Sequence, residues 1–349
     1  MKMIINKLVV RISIRLVSLL LLFSACSDST ETTDLVGDWV RKSDFEGVKR
    51  SGAVSFQIGD RNFVGTGFDG TYRLKDLWEY DAARNTWYRK ADFPGTARNS
   101  AVAFSANGKG YVGTGFDGTN RLNDFWEYDP INDSWKKVAD FLGEFPGEAR
   151  YRYGAVSLSL NNKGYVGSGY GSVAPTGGSN DLKDWWEYDP NTNIWSRKTS
   201  MGGSKRSNAF SFEISGVGYV GGGSNNGTYP KDFWSYDATK DSWTELNPLD
   251  DTDDSDYTYA LQRESASTFV IGGHAYLCGG TYSAITGSVW EYDTATDLWT
   301  EKSTFEGTVR DAAVSFGVGT KGYIATGRNG STLRFDDLWE FDPQATSEN

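Results

Sequence analysis

The chain has little of what metal and redox chemistry usually requires. Of 349 residues, one is His and two are Cys, and there are only eight Pro. A single imidazole excludes any zinc or copper site that takes two His from this chain. Two Cys cannot build a disulfide scaffold. What is abundant is 41 Gly, 13 Trp, 19 Tyr and 19 Phe, with apolar residues at 38%. That is ample material for a packed core and unlike a disordered tail. Many Gly and many Trp with few Pro imply strands joined by tight turns. The length alone would allow two domains, so pattern must decide.

The first 25 residues carry Lys2, Lys7, Arg11 and Arg15, no acidic residue, and an apolar run from Leu16 to Phe23. A basic segment followed by a short apolar one has the form of a signal peptide and is too short for a comfortable membrane span. It ends Phe23-Ser24-Ala25-Cys26, which resembles the lipobox of bacterial lipoproteins. The resemblance implies cleavage before Cys26, its acylation (palmitate among the chains), and a membrane address in the cell envelope. Ser27 after the Cys fits outer-membrane sorting, on either its periplasmic or its surface side. Loss of the four positive charges takes the net charge from −11 to −15. So acidic a chain has no general affinity for nucleic acid. The polar stretch 27–34 reads as a tether, with residues 26–36 joining anchor to body; eight extended residues reach about 26–29 Å. Cys278 is left without an intramolecular partner and reads as a small buried hydrophobe.

The remainder, 37–343, is one unit written six times. Trp78-Glu79-Tyr80-Asp81 recurs around Trp126, Trp186, Trp234, Trp290 and Trp339, the last as Trp339-Glu340-Phe341-Asp342. Nine residues after the first five stands a second Trp: Trp87, Trp135, Trp195, Trp243 and Trp299. The sixth lacks it, and the missing Trp is at the other end of the body, in Asp38-Trp39-Val40-Arg41-Lys42. The first strand therefore completes the last repeat, and a sheet array closed in this way has no unpaired end. Each unit reads as four strands, a to d: strand a after an Arg-x-x-Ala signature, strand b ending in small residues, strand c the Trp-Glu-Tyr-Asp run, strand d the second Trp.

These residues resemble the kelch repeat, with its glycine pair, following Tyr and spaced Trp. The resemblance implies an all-β, six-bladed kelch-type β-propeller, a single domain. The glycine doublet is mostly split here, as in Gly65-Thr66-Gly67, and is kept at Gly221-Gly222-Gly223 and Gly279-Gly280. Kelch proteins include copper-radical oxidases, whose chemistry needs two His and a Cys-modified Tyr. His274 alone cannot supply that site. Another relative is the sialic acid mutarotase, for which a carboxylate beside a cation suffices as acid and base. Arg263 with Glu264, or Arg310 with Asp311, would be candidates.

The signature arginines, Arg50, Arg98, Arg152, Arg206, Arg263 and Arg310, fall one per blade at the face where strand d passes to strand a. Two roles are open to them: a convergent anion-binding funnel, or bonds into neighbouring blades that hold the ring. The b–c loops of the same face add Asp69, Asp117 and Tyr170 as candidate ligand contacts. Tyr151, Tyr153, Tyr257 and Tyr259 add aromatic surface nearby. Asp76, Asp124, Asp184, Asp232 and Asp337, each two residues before a Trp, read as turn caps. The acidic run Asp250–Asp256 matches no calcium-loop template and reads as a solvated loop. The function expected is a lipid-anchored, monomeric binding module without cofactor or metal, taking an anionic glycan or an envelope protein at the arginine face. Mutarotation of a sugar is the alternative.

Overall fold

The structure, a computed structural model, describes residues 35–142, 147–251 and 259–345. The period-2 alternation of each repeat becomes four antiparallel strands. In the second repeat Val102–Ala106, Lys109–Gly113, Phe125–Asp129 and Ser134–Val138 pair in that order. The inner strands are Val54–Ile58, Val102–Ala106, Val156–Leu160, Phe210–Ile214, Ser267–Ile271 and Val314–Val318. Each packs on the next, and the sixth on the first, so the blades close into a ring. Asp38–Arg41 pairs antiparallel with Leu338–Asp342, with Trp39 opposite Phe341, and supplies strand d of the last blade.

Two rings of hydrogen bonds surround the axis. The residues two past each signature Arg form a closed backbone cycle. The Gly52 N–H donates to Ala312 O, Ala312 to Ser265, Ser265 to Asn208, Asn208 to Gly154, Gly154 to Ser100, and Ser100 back to Gly52, all at 2.7–2.9 Å. All six have φ of 50–60°, so the left-handed conformation aims each N–H at the neighbouring blade instead of its own. One turn deeper, the Ser55 hydroxyl donates to Ser315 O, Ser315 to Thr268, Thr268 to Ser211, Ser211 to Ser157, and Ser157 to Ala103. This second ring opens only at Ala103, which has no hydroxyl to give. Below it the inner strands line a central cavity of about 680 Å³, small and hydroxylated in character.

The blades adhere through aromatic side chains. Trp87 stacks edge-on to Phe45 with ring centroids 4.9 Å apart, and Trp135 does the same to Phe93 at 5.2 Å. Burying one such ring contributes roughly 1.5–3 kcal/mol. Trp185, the one Trp outside the period, occupies the place of Leu77, Phe125 and Phe233 in other blades. Its ring lies where a side chain at Gly167 would begin, a Cβ there falling 2.0 Å from Cε3.

Blade 3 carries an added sheet, Tyr151–Tyr153 with Tyr170–Ser172 and Asn180–Asp181, on the strand-d-to-a face. In blade 5 Asp250–Asp251 pairs with Tyr259–Ala260. The segment expected to be a signal peptide, with Cys26, and Tyr257 and most of the acidic run lie outside the described residues.

Candidate functional site

The six arginines do not line a funnel. Arg50, Arg98, Arg152 and Arg206 are completely buried, and Arg263 and Arg310 nearly so. Their side chains run outward along the end of their own blade, across strand b to the start of strand c. Arg98 donates from Nη1 to Thr114 O and to Asp124 Oδ1, both at 2.8 Å, from Nη2 to Asp124 Oδ2 at 2.8 Å, and from Nε to Thr96 O at 2.8 Å. Its guanidinium lies 4.7 Å from the Phe93 ring centre. Arg50–Asp76, Arg152–Asp184 and Arg310–Asp337 repeat the two-point clasp, and Arg206 meets Asp232 through Nη2.

The aspartates before the tryptophans are therefore counter-ions and not turn caps. Each also accepts the indole N–H of the Trp two residues on, as Asp124 Oδ2 does from Trp126 at 2.8 Å. Burial works to raise the carboxyl of Asp124, and the hydrogen bonds and charge of Arg98 overcome it, leaving the group below its usual range. Asp76 and Asp337 behave alike. The guanidinium of Arg98 is thus spent within its own blade, as are those of Arg50, Arg152 and Arg310, so these arginines tie strands a, b and c of one blade together and do not face the basin.

The sequence-level pairings of Arg263 with Glu264 and Arg310 with Asp311 do not form either. Glu264 accepts from Asn208 Nδ2 and Ser224 Oγ, and Asp311 from Thr281 Oγ1 and Arg328 Nε, the last at 2.6 Å. Asp69 and Asp117 turn inward on their own loops. Asp69 Oδ1 accepts the Thr71 and Tyr72 N–H groups, and Asp117 Oδ1 those of Thr119 and Asn120. They cap turns. Tyr170 remains on the face, half-buried, beside Tyr153 at 5.7 Å and under Arg121 at 5.6 Å; Tyr153 in turn meets Phe116. Tyr259 is buried against Trp290 and adds no surface.

What the face does carry is a second set of arginines, on the b–c loops. Arg73, Arg121 and Arg334 each stand five residues before a strand-c Trp, a periodic signal available in the sequence. Arg121 is consumed by the blade 3 loop, donating to Ser179 Oγ at 2.7 Å and to Pro175 O. Arg334 is buried. Arg73 lies between Phe68 and Phe116, 4.4 and 5.4 Å from their centres, and bonds through Nε alone, to Asn99 Oδ1. Arg328 holds Asp311 through Nε and has a side chain 42% exposed. Among the described residues neither bonds through its terminal N–H groups. Around them the loop tips expose Val48, Tyr72, Leu142, Val173, Tyr282 and Leu333. The backbone cycle at Gly52, Ser100 and their equivalents floors the basin between these loops.

The kelch-motif family model matches residues 98–142 and 262–305, two spans that each open at or beside a signature arginine. The chain is a kelch-repeat β-propeller. The solved structure titled "Structure of YjhT" resembles this kelch propeller with a TM-score of 0.70 at 16% identity, over 85% of this chain and 95% of that one. No curated protein matches it in sequence. At the far side of the propeller His274 stands at the start of a strand, 3.8 Å from Glu291. Cys278 is buried, and burial pushes its thiol up to about 12.

Proposed function

We propose that this kelch propeller is a membrane-anchored envelope lipoprotein and a non-catalytic binding module for anionic glycan or protein ligands. The ligand sits on the b–c and d–a loop face, at Arg73 and Arg328, and not on the six buried arginines. The observation that carries the reading is the pairing of guanidinium ends, unbonded among the described residues, with exposed aromatic and aliphatic loop tips. Arg suits carboxylate or sulfate bidentately, and aromatic faces suit sugar rings. Loop variation on a rigid ring is where specificity resides, and the blade 3 sheet provides it here.

Anchoring through acylated Cys26 fits this arrangement. Asp38 pairs with Asp342 at the end of strand c, whereas Asp337, at its start, meets Arg310. Gly37 thus enters blade 6 at the end away from the basin, so a chain tethered at Cys26 presents the basin outward. A Cys26→Ser variant is then lost from the membrane fraction while remaining folded.

The test of binding is retention on immobilised acidic polysaccharides against neutral ones, weakened as salt rises. Retention equal on both supports, or insensitive to salt, removes the anionic ligand. A second reading, sugar mutarotation, has one specific observation in its favour: the Asp311–Arg328 pair, a carboxylate and a cation at the rim. It predicts faster anomer exchange of a sialic acid by NMR, abolished by Asp311→Asn.

A further inference from the structure

Blade 5 breaks the pattern of the other five. Where they have Asp two residues before the Trp, it has Ser288. In the others one carboxylate accepts from both guanidinium ends or one of them, and from the indole N–H. In blade 5 those donors are in place and, among the described residues, no carboxylate accepts from them. Arg263 donates from Nη1 to Gly279 O at 3.2 Å and to Ser288 Oγ at 3.0 Å and, among the described residues, makes no bond from Nη2, the end that meets the aspartate elsewhere. Its buried Nε also has no partner, as that of Arg152 has none. Trp290 Nε1 is likewise buried without a partner, whereas Trp78, Trp126, Trp186, Trp234 and Trp339 all donate to their aspartate at 2.8 Å.

Leaving a guanidinium buried without a hydrogen-bonded counter-ion is costly, and the more distant charge of Glu301 offsets that burial only in part. Here burial pushes Arg263 down to about 10, so it is still a cation at neutral pH. Arg263 is 4% exposed where four of its counterparts are at 0%. Replacing Asp by Ser removes the carboxylate from the place that five blades fill, and leaves the donors arranged for a planar, two-oxygen anion.

We propose that blade 5 binds a small free monocarboxylate, of formate or acetate size, on Arg263, Ser288 and Trp290, in the position of the missing aspartate. One oxygen of the anion accepts from both Arg263 Nη2 and the Trp290 indole N–H, as Asp124 Oδ2 does from Arg98 Nη2 and Trp126 Nε1. With Arg263 only 4% exposed and Trp290 Nε1 buried, the site takes a small free acid and excludes one borne on a sugar or peptide. This inference is independent of the ligand assigned to the loop basin.

The experiment is thermal unfolding and saturation-transfer NMR with sodium formate, against sodium chloride at equal ionic strength and sodium glucuronate. Formate is expected to raise the wild-type Tm by a few degrees, about 2–4 °C per tenfold-scale gain in linkage, with chloride and glucuronate ineffective. Saturation transfer to the formate proton is expected in the wild type and lost in Ser288→Asp, which carries its own carboxylate. Ser288→Asp is also expected to unfold at higher temperature than the wild type. A Trp290→Phe variant, which keeps an aromatic ring and loses the indole N–H, binds formate several-fold more weakly. Equal effects of formate and chloride, formate transfer undiminished in Ser288→Asp, or glucuronate acting as formate does would each overturn the proposal.

Discussion

The Tyr128 hydroxyl donates to Asp133 Oδ1 at 2.7 Å, and that same oxygen accepts the Ala91 N–H of the preceding blade at 2.9 Å. The pair recurs as Tyr80–Asn85, Tyr188–Asn193, Tyr236–Asp241 and Tyr292–Asp297. Each acceptor sits in the c–d turn with φ of 47–58°, the left-handed region that Asn and Asp tolerate. Blade 6 has no such turn, because its strand d comes from the other end of the chain. There Val36 O takes the Ser303 N–H instead, and the Tyr becomes Phe341.

Phe341→Tyr is therefore expected to destabilise. The added hydroxyl would have no left-handed Asn or Asp to meet, and Gly37 closes the site, a Cβ there lying 2.5 Å from the Phe341 ring. An unsatisfied buried hydroxyl costs about 1–3 kcal/mol. Urea unfolding should show that loss in Phe341→Tyr. A neutral or stabilising result would place a hydrogen-bond acceptor at the seam.

Arg98→Ala should lose about 3–5 kcal/mol, because Asp124 is left buried and unpaired. Arg98→Ala/Asp124→Ala should lose less than the sum of the single variants. The pH dependence has a definite sign. Asp76, Asp124 and Asp337 are held below their usual range in the fold. Their contribution is complete above the unfolded carboxyl value near 4 and is lost as pH falls through the lower folded values. Tryptophan fluorescence on acid titration should show stability flat above about pH 5 and falling below it, with Asp124→Asn flattening that fall.

Ala103→Ser should stabilise by about 0.5–1.5 kcal/mol, since a hydroxyl there completes the ring of side chain to carbonyl bonds by donating to Ser55. The check is a rise in the urea midpoint with an unchanged slope. Replacement by Val, which adds bulk without a donor, should not reproduce it.

The blade count and the closure were legible because Trp spacing is a strand signal that repeats, and Trp39 supplied the one missing member. The place of the arginines was legible as well, but not their direction. A position at the start of an inner strand is equally compatible with a side chain lying toward the axis or along the blade. What distinguishes the two is the Asp before each Trp. Its regular partnership with Arg would have been visible had the Arg and Asp periods been read together, including the exception at Ser288. Arg73 and Arg328 were harder to find, since a loop arginine becomes informative only when its neighbours' hydrogen bonds are known. Cys278, assigned a buried and inert place, is buried, beside the small Val289 that makes room for it.

Ligand binding at Arg73 and Arg328 is the central claim about this protein's function. Binding to an acidic polysaccharide, measured by calorimetry for Arg73→Ala/Arg328→Ala beside Asp69→Asn and the wild type, separates the loop basin from the remainder of that face. The double variant should lose some stability, because Asp311 is left buried without Arg328, yet remain folded at the assay temperature. It should bind at least tenfold more weakly with a smaller salt dependence, while Asp69→Asn binds as the wild type does. Undiminished binding by the folded double variant would contradict it.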